Sequence, residues 1–193
     1  MKQWLHDDLM NNLPARRRFL AQLAVLAAAG TSVARAADFD VSRWPADKPA
    51  PSLQGTDLAG KAWRLTDLRG RAVLLNFWAS WCPPCRAEMP SLQDMAAIYG
   101  PEKVVVLAIN FKESKNTAQR FIQASALTLP VLLDPNGDVA RQWGARVFPT
   151  TVLIDSAGQP RQRIRGEVDW SSQSAERLIA PLLAAARPPS LRT

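Results

Sequence analysis

Ala72-Val73-Leu74-Leu75-Asn76-Phe77-Trp78-Ala79-Ser80-Trp81-Cys82-Pro83-Pro84-Cys85 decides the reading of this chain. Ala72 to Trp78 is an apolar run of strand length without polar alternation, the pattern of a strand buried on both faces. Beyond it, Cys85, Met89, Leu92, Ala96 and Tyr99 recur at helical steps and predict a helix beginning near Cys82, interrupted by Pro90. A Cys-x-x-Cys pair thus falls at a strand-to-helix junction. At the helix N-terminus unpaired N–H groups and the helix dipole favour an anion, so the Cys82 thiol is expected to ionise more readily than a free one. Cys85 lies one turn in, on the buried face. One sulfur can attack and the other resolve. Pro83 and Pro84 suit the first helical positions but remove backbone donors, which moderates that effect.

Working outward, Val104 to Ile109 reads as a second buried strand, Asn116 to Ala126 as a helix, and Val131 to Asp134 as a short strand. The turn Pro135-Asn136-Gly137 then leads into a small helix through Trp143. Thr150 to Asp155 and Gln162 to Arg165 flank the hairpin signal Ser156-Ala157-Gly158-Gln159. Upstream, Ser52-Leu53 and Trp63-Arg64-Leu65 suggest another hairpin through Asp57 to Gly60. A helical stripe from Ala175 to Ala186 closes the order. The expected fold class is α/β: a mixed central sheet flanked by helices, with an N-terminal β-hairpin.

Residues 1–36 read as an export signal. Arg16-Arg17-Arg18-Phe19-Leu20 precedes a modest apolar run, and Ala34-Arg35-Ala36 gives an A-x-A cleavage pattern. The Arg-Arg-x-Phe-Leu order resembles a twin-arginine signal; an ordinary secretory signal and a retained tether are the alternatives. Residues 37–50 read as an extended surface leader, 51–186 as the folded domain and 187–193 as a tail.

The 193 residues hold 24 basic and 17 acidic side chains, one histidine and two cysteines. Residues 1–36 contain five of the basic and two of the acidic residues, leaving 19 against 15 and no histidine in the remainder. No basic stripe with interleaved aromatics points to nucleic acid. Arg161, Arg163 and Arg165 alternate as one strand face, either solvated or a docking patch. Two thiols cannot complete a zinc site. A structural disulfide and a Cu(I) dithiolate stay open beside redox exchange. Phe148-Pro149-Thr150-Thr151 places a proline at a strand start, a candidate cis bond. Glu88, three residues past Cys85, shares its helix face; taken alone it reads as a surface residue, though a carboxylate near a buried thiol could exchange its proton.

Leu75 to Pro90, Val147 to Thr151 and Thr151 to Gly158 together resemble the TlpA-like branch of the thioredoxin superfamily, with its ResA and CcmG types. The resemblance spans about residues 50–186. It implies a thioredoxin-like fold in which Asn110 to Leu133 is the central αβ insertion, and an exported thiol–disulfide oxidoreductase that reduces protein disulfides in the periplasm, as in cytochrome c maturation. It further implies Cys82 as nucleophile, Cys85 as resolving thiol, Pro149 as a cis-proline facing the disulfide and Glu88 as the acidic residue tuning the cysteines. Trp81, Pro83, Pro84 and Phe148 would face the substrate. No cofactor is implied beyond the redox-active disulfide. The implied partners are a disulfide-bearing client protein and a membrane thiol donor of the DsbD/CcdA type. A disulfide oxidase or isomerase, or a Cu(I)-delivery module, would use the same dithiol. Where thioredoxin carries a buried Asp beneath the cysteines, this chain has Asn76. Neither cysteine sits in the Pro-x-x-x-Thr/Ser-x-x-Cys context of peroxiredoxins.

Overall fold

Residues 39–184 are described by a computed structural model of the chain. The expected export signal at 1–36 and the tail at 187–193 lie outside the described residues. Eight strands and four α-helices follow in order: β1 Phe39–Arg43, β2 Gln54–Thr56, β3 Ala62–Arg64, β4 Ala72–Trp78, α1 Pro83–Tyr99, β5 Val104–Phe111, α2 Lys115–Ser125, β6 Val131–Asp134, α3 Asp138–Trp143, β7 Thr150–Ile154, β8 Pro160–Gly166 and α4 Gln173–Ala184.

Six strands form one mixed sheet in the order β1-β8-β7-β4-β5-β6. β4, β5 and β6 run parallel, whereas β7, β8 and β1 add antiparallel partners on the other side. All seven residues of β4 are buried, as its unbroken apolar run requires when both faces and both edges are covered. The period-two geometry of a strand sends Leu74 and Trp78 to a core shared with Cys85, Met89 and Leu92 of α1 and Ile179 of α4. It sends Val73, Leu75 and Phe77 to the opposite core, closed by Trp44, Trp63 and Trp143. Asn76, between Leu74 and Trp78, therefore lies on the α1 face. Pro90 does not end α1; it falls on the exposed side of the helix, where its missing N–H leaves no buried group unpaired.

The N-terminal hairpin forms one to two residues from its expected position, Gln54–Thr56 against Ala62–Arg64. The buried Asp57 carboxylate shifts it by drawing in the N–H groups of Ala59, Lys61 and the Trp63 indole. Within the extended surface leader, Phe39–Arg43 is the edge strand of the main sheet, registered on β8 from Phe39↔Gly166 to Arg43↔Gln162. Without it β8 would present an open edge.

The alternating arginines are each engaged within the fold. Arg161 pairs with the buried Asp155, and Arg165 with Asp40 of β1. Arg163 stacks 4.9 Å above the Trp44 ring and donates to the Trp143 carbonyl at 3.0 Å. Trp44 and Trp143 pack at 5.6 Å, so Arg163 of β8 ties the residue that follows β1 to the end of α3. Arg163→Ala is expected to lower stability by about 1–2 kcal/mol in urea denaturation, combining lost stacking with an unpaired carbonyl. Arg165→Ala, which removes an exposed pair, is expected to change it by less than about 1 kcal/mol.

Candidate active site

The turn from β4 into α1 makes Cys82 the N-cap of the helix, in extended backbone, with Pro83 and Pro84 at the first two helical positions. Neither proline has an N–H. The first free donor is therefore Cys85, whose backbone N–H points to Cys82 Sγ at 3.3 Å. The prolines thin the donor set to one bond and also aim it at the sulfur. Cys82 and Cys85 are joined as a disulfide with Cα atoms 5.3 Å apart. Cys85 is fully buried, and Cys82 keeps 4% exposure. When the pair is reduced, this donor and the helix dipole favour Cys82 as the thiolate.

β7 begins where β4 ends, because Thr150 is registered on Phe77. The segment preceding Thr150 is thereby brought to the same end of the sheet as the Cys82 turn. Phe148–Pro149 is a cis peptide bond. The Pro149 carbonyl accepts from Gly166 N–H at 3.0 Å, and the Thr150 hydroxyl donates to the Val147 carbonyl at 2.8 Å. Trp81 meets Phe148 edge-on at 6.2 Å, and Phe148 packs on Phe111 at 4.6 Å. Trp81 is 61% exposed and Val147 51%. Pro83 is exposed and Pro84 half-buried beside them. The result is an apolar rim around the disulfide end of the sheet, built from three separate turns.

Glu88 is not the surface residue that its sequence position alone suggests; it is 1% exposed. Its Oε1 accepts from Asn76 Nδ2 at 2.6 Å, while its Oε2 accepts from Val168 N–H at 3.2 Å and the Trp170 indole N–H at 3.4 Å. Burial raises its pKa to about 7, outweighing the opposing hydrogen bonds, and the nearby Glu167 charge adds to the rise. Asn76 bonds Glu88, so the two share one buried polar site.

Glu113 was not legible as a site residue. Its carboxylate accepts from Ser80 N–H at 2.8 Å, Ser80 Oγ at 2.5 Å and Asn110 Nδ2 at 2.7 Å, tying the turn before Cys82 to the end of β5. Phe111 and the Val168–Trp170 segment were missed too. A polar Asn110 closing an otherwise apolar strand was the available signal for the Glu113 contact; nothing local marked Val168. Among the described residues no group of three or more His, Cys, Asp or Glu side chains assembles as a metal centre.

The AhpC/TSA family model matches residues 46–163. The thiol-disulfide oxidoreductase ResA of Geobacillus thermodenitrificans (strain NG80-2) is 40% identical over 117 residues, covering 61% of this chain and 67% of that protein. The structure of a DsbF homologue from Corynebacterium diphtheriae superposes with a TM-score of 0.63 at 32% identity, covering 73% of this chain and 92% of the other. A secreted thiol-disulfide isomerase from Corynebacterium glutamicum gives a TM-score of 0.62 at 29% identity, over 75% and 92%. With a cysteine pair at a helix N-terminus and a cis-proline turn at the same end of the sheet, the chain belongs to the AhpC/TSA family and is a thioredoxin-superfamily thiol–disulfide oxidoreductase of the ResA/DsbE type.

Proposed function

We propose that the protein works as a disulfide reductase outside the cytoplasm, with Cys82 as nucleophile and Cys85 as resolving thiol. The observation that carries this reading is the asymmetry of the disulfide: one sulfur caps a helix beside an exposed aromatic rim and the other is sealed in the core. In the reduced state the Cys82 thiolate attacks a client disulfide. A mixed disulfide forms and one client sulfur leaves as thiolate. Cys85 then loses its proton and attacks Cys82 Sγ, closing the internal disulfide and releasing the second client thiolate. Two electrons pass to the client, and a thiol donor must return them.

Glu88 is the group to accept the Cys85 proton, because a carboxyl poised near neutrality both takes and returns one. Pro149 supplies a turn without an N–H at the same end of the sheet as the exchanging sulfurs. Trp81, Phe148, Pro83 and Pro84 form the client-facing rim. The client is a disulfide-bearing protein such as an apocytochrome c. The electron donor is a membrane thiol protein of the DsbD/CcdA type. The arginine-led segment at 1–36 supports export to the periplasm, as does the secreted Corynebacterium relative.

Insulin reduction with dithiothreitol tests the assignment. Cys82→Ser is expected to fall to the rate of dithiothreitol alone, whereas Cys85→Ser is expected to accumulate a mixed disulfide visible by non-reducing electrophoresis. Equal activity of Cys82→Ser and the parent would overturn the reading. Glu88→Gln is expected to slow reduction roughly tenfold or more and to flatten its pH profile near neutrality. The same substitution has a sign-defined effect on stability. The folded protein holds the Glu88 proton up to about pH 7, the unfolded chain only to about 4.5. The parent is therefore stabilised below about pH 4.5 and loses on the order of 3 kcal/mol as pH rises through about 7. Urea denaturation of Glu88→Gln is expected to lack that decline.

A further inference from the structure

Asn76 is fully buried in the middle of β4, on the face covered by α1. Its Nδ2 donates to Glu88 Oε1 at 2.6 Å and to Thr151 Oγ1 at 3.0 Å. Its Oδ1, equally buried, has no hydrogen-bond partner. The two other groups on Glu88 are also donors, the Val168 backbone N–H and the Trp170 indole N–H. Three donors converging on one carboxyl suit the carboxylate. The carboxylic acid has an O–H to place, and neither a backbone amide nor an indole can accept it. A buried O–H without an acceptor carries its full desolvation penalty.

Of the three partners only Asn76 owns an acceptor. A half-turn of its side-chain amide exchanges Oδ1 for Nδ2 and offers that acceptor to the acid. The Thr151 hydroxyl can accept from Nδ2 in one orientation and donate to Oδ1 in the other, so it stays bonded in both. The far end of the amide is unpartnered either way, one carbonyl oxygen in the first orientation and the amide N–H groups in the second, and the bond to the acid's O–H has to offset that difference. We propose that Asn76 is a positioning residue that reverses its side-chain amide with the proton on Glu88, donating to the carboxylate and accepting from the acid. The inference rests on the reading of Glu88 as the proton partner of Cys85 and assigns the device that lets the interior hold that proton. Facing Glu88, β4 and β7 present Asn76 and Thr151, which do not titrate; Glu167 is the acidic neighbour and Cys85 the thiol on its own helix.

The test uses the intact, oxidised chain, in which neither cysteine titrates, labelled with 13C and 15N. Glu88 Cδ and the Asn76 Nδ2 protons are followed from about pH 5 to about pH 9, spanning the range of a buried carboxyl. Nuclear Overhauser contacts from Nδ2 to the Thr151 side chain are expected while Glu88 is ionised. They are expected to disappear with the same midpoint as Glu88 Cδ protonation. A titrating Glu88 with unchanged Asn76 contacts would overturn the amide reversal and leave the proton role of Glu88 standing; a Glu88 Cδ that does not titrate would overturn both.

Discussion

β4 is covered on both faces and paired on both edges, so whatever reacts at its carboxyl end has to be delivered by the turn into α1. That constraint arranges the rest of the molecule. Parallel β5 and antiparallel β7 bring their own turns to the same end, carrying Phe111 and Glu113 on one side and Phe148–Pro149 on the other. Because strand residues alternate, the one polar position within β4 is committed to the α1 side, where Glu88 comes round one turn past Cys85. The disulfide at the rim and the buried Asn76–Glu88 pair beneath it are both placed by a single buried strand.

Opposed effects set the character of the site. Pro83 and Pro84 strip two donors from the helix N-terminus, yet the remaining Cys85 N–H is directed at Cys82 Sγ. Burial pushes Glu88 toward its neutral form, while hydrogen bonds from Asn76, Val168 and Trp170 pull it back, and burial wins. The outcome is a carboxyl near neutrality one helical turn past Cys85, which is what the proton role proposed for Glu88 asks of it.

The features legible in the sequence were those with local signatures. The apolar run Ala72–Trp78, the stripe from Cys85 onward, and the Ser156–Gln159 turn each carry their pattern within a few residues, and the structure places the elements accordingly. What escaped depends on partners far along the chain. Phe39–Arg43 is too polar to announce a strand and becomes one through β8, more than a hundred residues later. Burial of Glu88 requires Val168 and Trp170 to close over it. Arg163 looked like one of three equivalent charges until Trp44 and Trp143 enclosed it. The Glu113 clamp on Ser80 joins two turns that no periodicity connects.

Reduction of a client disulfide requires a dithiol poised to give electrons. The equilibrium reduction potential of the Cys82–Cys85 pair, measured by redox titration against dithiothreitol or glutathione, addresses it directly. A value close to that of thioredoxin, about −270 mV, is the expected result. A value near that of a strong oxidase, about −120 mV, would contradict it and make the same site a donor of disulfides.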